Sequence, residues 1–161
     1  RILSINEYYI KHIDEKKLFK LFKVYCKNFK KNIDGIKDKA LIKSMKFLKN
    51  KAKTLEDIYK NAQYILNDNI QISSEDLKLL DNSSKKILKD FLNLYERTSK
   101  VTKENLEKMI NELIEKHKTN FKGVGQPLRI ALTGSRFGPG IYDIILSLDK
   151  NETIKRLEVV E

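Results

Sequence analysis

Helix-stopping residues are almost absent from this chain outside one short stretch. Five of its six glycines (Gly123, Gly125, Gly134, Gly138 and Gly140) and both prolines (Pro127 and Pro139) fall between positions 123 and 140. Glycine and proline are the strongest local punctuation a backbone has. A chain that concentrates them so tightly must run elsewhere as continuous elements, separated by polar caps.

The apolar residues show which elements those are. Leu18, Leu21, Phe22, Tyr25, Phe29 and Ile33 recur at three- and four-residue steps after Asp14, which predicts an amphipathic helix over 15–33, closed by Asp34-Gly35. Leu41, Met45, Leu48 and Ala52 form the next stripe, with Lys39, Lys43, Lys46, Asn50 and Lys53 on the opposite face. Thr54 with Asp57 reads as an N-cap pair before Leu55, Ile58, Ala62, Ile65 and Leu66, and Asn67-Asp68-Asn69 breaks that pattern. Ser73-Ser74-Glu75-Asp76 starts a short helix, and Asn82-Ser83 one carrying Ile87, Phe91 and Tyr95. Thr102 caps a helix whose stripe is Leu106, Met109, Ile110, Leu113, Ile114 and His117. Pro127 suits the first turn of a short helix, where its fixed φ is already helical and its missing N–H costs nothing. Pro139 suits the same position before IYDIILSL, and Asn151 the cap of a last helix through Ile154 and Leu157. No segment alternates long enough for a strand, so the chain is all-α, a helical bundle.

Charge is distributed unevenly. The net charge is +11, yet residues 1–60 carry 17 basic against 7 acidic residues while residues 61–161 carry 16 against 15. The excess thus lies in the first part, which favours a polyanionic partner there. Hydrophobic residues at 40% are too many for a disordered chain, and no apolar stretch approaches the roughly 18 residues of a membrane span. The opening RILSINEYY has neither a starting Met nor a signal-peptide core, and its pattern begins midway, as expected of a piece of a longer protein. The single Cys26 rules out an internal disulfide framework and a multi-cysteine zinc site. It falls within the first helical stripe as a small buried hydrophobe, compatible with a reducing cytoplasm.

Catalytic chemistry is poorly supplied. His12 and His117 are isolated from each other and from Cys26, and His117 continues an apolar stripe at a helix end. No Walker-type glycine loop and no dinucleotide fingerprint occurs. Glu104, Glu107, Glu112 and Glu115 belong to a solvated helix face. The expectation is a chain with no metal site, no bound cofactor and no catalysis of its own.

The punctuated stretch, QPLRIALTGSRFGPG at 126–140, has more to offer. Gly134 suits a left-handed helix C-cap, and Gly138-Pro139-Gly140 leads into the next helix, whose free N–H groups favour acceptors. Arg129 and Arg136 flank the turn and Phe137 lies within it. Arginine gives planar multi-donor recognition, and an exposed aromatic gives a platform for an unpaired base. The competing reading is an ordinary tight connection with Phe137 in the core.

PLRIALTGSRFGPGIYDIILSLDKNETIKRLE resembles the C-terminal signature of bacterial-type glutamyl-tRNA synthetases: PLR, then ALTG, a short spacer, PG, an apolar helix and a KRLE-like close. KNKAKTLEDIYKNAQYIL at 49–66 is similar to that family's Arg-x-(x)-Thr-Leu helix start. NEYYIKHIDEKKL at 6–18 is similar to the segment joining its stem-contact fold to the anticodon-binding body. The resemblance implies an α-helix cage of two helical subdomains, about 16–72 and 73–161, with 1–15 the tail of the stem-contact fold. It implies a partner in tRNA-Glu, alone or together with tRNA-Gln, and a monomer in the cytoplasm. The whole enzyme would charge tRNA using ATP and magnesium through a domain bearing HIGH and KMSKS signatures. Neither is present in this chain.

Carried over position by position, Arg129 matches the family arginine that contacts anticodon bases, and Pro139 and Ile141 match the pocket for the first of them. Gly138 stands where some members have threonine, so a hydroxyl contact is missing. Lys51 stands where an arginine associated with the third base is usual, a point charge in place of a bidentate fork. Lys43, Lys46, Lys53 and Arg136 are candidates for the tRNA backbone. Two other readings stay open: the similar helical domain of a class I lysyl-tRNA synthetase, and a non-catalytic helical protein–protein interaction module.

Overall fold

Polar side chains cap many of the helix starts. A computed structural model describes residues 7–160 apart from Asn32 and Asp34, and among them eleven α-helices and no strand are found. They fall into two compact units, one running through Asp68 and the other from Asn69.

The first unit holds α1 (Glu7–His12), α2 (Glu15–Asn28), α3 (Asp38–Leu48), α4 (Leu55–Asn61) and α5 (Gln63–Leu66). α2 packs on α3 and α4, burying Leu18, Phe22, Tyr25 and Cys26 against Leu41, Met45, Leu48, Leu55 and Ile58. Each fully buried side chain of this size contributes about 1.5–3 kcal/mol. The predicted stripe Leu41, Met45, Leu48 and Ala52 is buried, and Lys39, Lys43, Lys46, Asn50 and Lys53 are exposed. A 3₁₀ turn at Lys49–Lys51 tightens the chain so that Ala52 still reaches the core. At Thr54 the capping box is complete: Asp57 N–H donates to Thr54 Oγ1 at 3.1 Å, and Thr54 N–H donates to Asp57 Oδ2 at 3.3 Å.

α2 stops at Asn28, short of the expected 15–33 span. Lys30 takes a left-handed φ of 57°. Lys31 N–H then bonds the Cys26 carbonyl at 2.8 Å and Lys30 N–H the Lys27 carbonyl at 3.4 Å, a closure that usually recruits glycine. Phe29 is left exposed, against Tyr25 at 4.8 Å. The expected stop at Asp34 lies outside the described residues, and Gly35 opens a 3₁₀ turn to Lys37 ahead of α3.

The second unit holds α6 (Ser74–Leu77), α7 (Asn82–Arg97), α8 (Lys103–Lys116), α9 (Phe121–Thr133), α10 (Ile141–Ser147) and α11 (Lys150–Val159). α7, α8 and α9 pack on one another, α11 lies on α7 and α9, and α10 on α8 and α9. Phe91, Leu106, Ile110, Leu128, Ile130 and Ile144 are fully buried among them. Ser73 and Thr102 cap α6 and α8 as their sequence suggests. Two other caps are carboxylates lying just ahead of the expected residues. Asp81 accepts from Ser84 N–H at 2.8 Å to start α7, and Asp149 from Asn151 N–H at 3.2 Å to start α11.

Both prolines differ from expectation. α9 begins after Asn120, which accepts from Gly123 N–H at 2.8 Å, so Pro127 lies in the middle of a 13-residue helix. Its ring is buried, and apolar contact with the neighbouring helices outweighs the one ladder bond its nitrogen cannot make. Pro139 lies two residues before α10, whose N-cap is Gly140.

Candidate nucleic-acid interface

The turn between α9 and α10 is built by side chains that hold backbone. Gly134 ends α9 with φ 86°, its N–H on the Ile130 carbonyl at 2.8 Å. A Cβ there would lie 2.6 Å from the Gln71 carbonyl oxygen, so glycine is required by conformation and by space. Beyond it, Ser135 Oγ accepts from Phe137 N–H at 3.0 Å. Arg129, one turn before the end of α9, reaches back over the loop. Its Nε donates to the Pro139 carbonyl and its Nη1 to the Arg136 carbonyl, both at 3.1 Å. The guanidinium therefore spans the loop, committing two of its five donors.

Arg136 is held from another side. Its Nε lies 3.3 Å from Asp76 Oδ1 and its Nη2 3.8 Å from Glu75 Oε2. Its guanidinium carbon lies 5.0 Å from the centroid of the Phe137 ring. Phe137 is 72% exposed, which excludes the core placement that sequence left open. Beside this turn is a hollow of about 310 Å³ lined by Phe121, Lys122, Gly125, Gln126, Arg129, Arg136 and Phe137. Its chemistry combines apolar ring surface, cationic groups and one amide.

The family-matched positions take different places. Arg129 lines the hollow and Pro139 is tied to it through its carbonyl. Gly138 is exposed with φ 134°. Ile141 is 1% exposed, a core residue in the first turn of α10. Phe121, Lys122 and Gln126 carry no motif of their own. They reach the hollow because α9 is continuous through Pro127, which puts 122, 126 and 129 on one helical face.

In the first unit the candidate lysines are presented to solvent. Lys43 and Lys46 lie on the outer face of α3, Lys46 with its ammonium 5.0 Å from the Phe47 ring centroid. Lys51 and Lys53 are exposed on either side of buried Ala52, just before the α4 cap. None of the four has a carboxylate partner among the described residues. Lys23 and Lys49, by contrast, pair with Asp38 at 2.9 Å and Glu15 at 2.6 Å. An unpaired surface ammonium is free to neutralise a phosphate.

The remaining titratable groups have structural surroundings. His117 Nε2 lies 2.8 Å from Asp90 Oδ2, joining the end of α8 to α7, and Lys116 meets the same oxygen at 3.0 Å. Burial raises the Asp90 carboxyl, but hydrogen bonds from Lys116 and His117 outweigh it and hold the pKa below the usual carboxylate value. Cys26 is 2% exposed and burial pushes its thiol up to about 11, an unreactive state. Glu104, Glu107, Glu112 and Glu115 are all exposed. No helix among the described residues is long and apolar enough to cross a membrane.

Known proteins are similar to this chain in sequence and in architecture. The chain is 52% identical over 98% of its length to a glutamate–tRNA ligase of Pelagibacter ubique, of which it covers 34%. It is 28% identical, again over 98% of its length, to glutamate–tRNA ligase 2 of Zymomonas mobilis, of which it covers 33%. The chain thus spans about a third of the length of these relatives, and they carry the name glutamate–tRNA ligase, not lysyl-tRNA synthetase. In architecture it is similar to the crystal structure of a glutamate tRNA ligase from Elizabethkingia meningosepticum, with a TM-score of 0.79 at 19% identity over 96% of this chain and 30% of that one. The family model of the anticodon binding domain matches residues 12–160. The chain belongs to the anticodon binding domain family.

Proposed function

We propose that this chain is the tRNA-holding and anticodon-reading part of a glutamate–tRNA ligase. The observation that carries the reading is the 52% identity to such a ligase along 98% of the chain. The geometry supports it at both levels where RNA has to be met. Lys43, Lys46 and Lys53 are exposed and unpaired, suited to backbone phosphates, while the arginine-spanned turn offers the fixed donors that splayed-out loop bases need. Arg129 keeps three N–H donors beyond those spent on the turn, available to a base edge. Gly138 and Pro139 continue the turn beyond Phe137, and Ile141, buried in the first turn of α10, fixes the start of that helix. Lys51 contributes a point charge beside the third base. Arg136, partly neutralised by Asp76, adds a weaker phosphate contact.

The whole protein would join glutamate to tRNA in the cytoplasm at the expense of ATP with magnesium. The residues of this chain do not fit those groups. It has no phosphate-cradling glycine loop, and no group of three or more His, Cys, Asp or Glu among the described residues could hold a metal ion. Its part is binding, as a monomer.

Arg129→Ala tests the assignment, by equilibrium binding of anticodon stem-loops with the tRNA-Glu sequence and with each anticodon base changed. Loss of the arginine should weaken the cognate stem-loop by about 1–3 kcal/mol and flatten the preference over the changed ones. Equal loss on every stem-loop, with preference intact, would overturn the reading role of Arg129.

A further inference from the structure

The Arg136–Phe137 pair has features that neither the family-matched positions nor the phosphate contacts explain. A large aromatic ring is left 72% exposed at a turn whose backbone is secured on both sides. Phe137 N–H is on Ser135 Oγ at 3.0 Å, and Arg129 holds the carbonyls of Arg136 and Pro139 at 3.1 Å each. The ring has one immediate cationic neighbour, the Arg136 guanidinium 5.0 Å from its centroid. That guanidinium is itself ion-paired, its Nε 3.3 Å from Asp76 Oδ1 without a hydrogen bond, and the carboxylate is only 8% exposed. A merely unburied phenylalanine needs none of this support. A ring that must present a face at a set position does.

The surroundings say what kind of face meets it. The ring borders the hollow of about 310 Å³ whose other walls include Phe121, Lys122, Gln126 and Arg129. Lys122 and Gln126 are one turn apart on α9, a cation beside an amide that can both donate and accept. Apolar ring surface, an amide for an edge and ammonium and guanidinium groups for phosphate together match a single unstacked nucleotide. We infer that Phe137, backed by the Asp76-paired Arg136, is a stacking platform for one unpaired base of the bound RNA, with Gln126 and Lys122 facing that nucleotide's edge and phosphate. This rests on the tRNA-binding reading above and adds residues to it.

Stacking is tolerant of sequence, because every base has a π-face, and it neutralises no phosphate and so releases no counterion. Those properties separate it from the roles of Arg129 and the lysines. With the full 161-residue chain and an anticodon stem-loop of tRNA-Glu sequence, Phe137→Ala should weaken binding on the order of tenfold or more. The salt slope should stay that of the unsubstituted protein, and Phe137→Tyr should restore affinity. Against stem-loops made abasic at one anticodon position at a time, the penalty of Phe137→Ala should vanish at the position that stacks. The thermal midpoint should be unchanged in both variants, since an exposed ring contributes little to folding. Normal binding by Phe137→Ala would overturn the platform, as would a penalty that persists on every abasic stem-loop. If the unsubstituted chain fails to bind any stem-loop, the tRNA-binding reading itself falls, and the platform with it.

Discussion

At the scale of single residues, the clearest tests lie where one group has no substitute. Gly134 combines φ 86° with a neighbouring carbonyl that leaves no room for a Cβ. Gly134→Ala should therefore cost about 1–3 kcal/mol in denaturant unfolding, and a neutral result would show that the α9–α10 turn can be rebuilt. Asp90 is the second case. Folding lowers its pKa through Lys116 and His117, so its contribution is full above the unfolded value near 4 and is lost as pH falls through the lower folded value. Asp90→Asn should lower stability by about 1 kcal/mol at pH 7, and the gap to the unsubstituted protein should close below about pH 4. A gap independent of pH would mean the ion pairs are not its source. Arg129, Arg136 and Phe137 could be singled out from sequence because they lie within eight positions of one another beside glycine and proline. Phe121, Lys122 and Gln126 could not, because their place at the hollow depends on a helix that sequence rules interrupt at Pro127.

At the scale of elements, helix starts were legible where a hydroxyl supplies the cap. Thr54, Ser73 and Thr102 start α4, α6 and α8 as their side chains suggest, since a hydroxyl accepting from the first turn is a purely local interaction. Ends proved less legible. α2 and α8 both close on a lysine in the left-handed region, Lys30 at φ 57° and Lys118 at φ 52°. Each closure brings a backbone bond from the next residue, Lys31 to Cys26 and Thr119 to Ile114. Nothing in a lysine announces that conformation, which costs on the order of 1 kcal/mol relative to glycine. Lys30→Gly and Lys118→Gly should accordingly raise the thermal midpoint by about 2–4 °C each; a fall would mean that these lysine side chains contribute contacts outweighing the strain. Pro127 shows the same lesson from the other side. The local rule places proline at a helix start, yet the buried face of α9 carries the helix through it.

At the scale of the molecule, charge is spread unequally over the two units. The unit through Asp68 holds 17 basic against 8 acidic residues, and the unit from Asn69 holds 16 against 14. The first is suited to holding a polyanion, while the second carries the fixed donors and exposed ring of the α9–α10 turn. That the fold is all-α, with no strand among the described residues, and that the first part is basic could be read directly from periodicity and counting. The arginine-spanned turn could not, because it depends on side chains folding back onto their own backbone. Lys43→Ala and Lys46→Ala should each weaken all tRNAs alike and reduce the salt slope by about 1, leaving anticodon preference intact. The most direct test of the central claim is equilibrium binding of tRNA-Glu to the unsubstituted chain across a salt series, with anticodon-changed tRNA-Glu as competitor. Affinity should fall on the order of a hundredfold between about 50 and 200 mM salt if some four phosphates are neutralised, and the anticodon-changed tRNA should compete poorly throughout. Salt-insensitive binding, or equal competition by both tRNAs, would contradict the assignment of this chain as an anticodon reader.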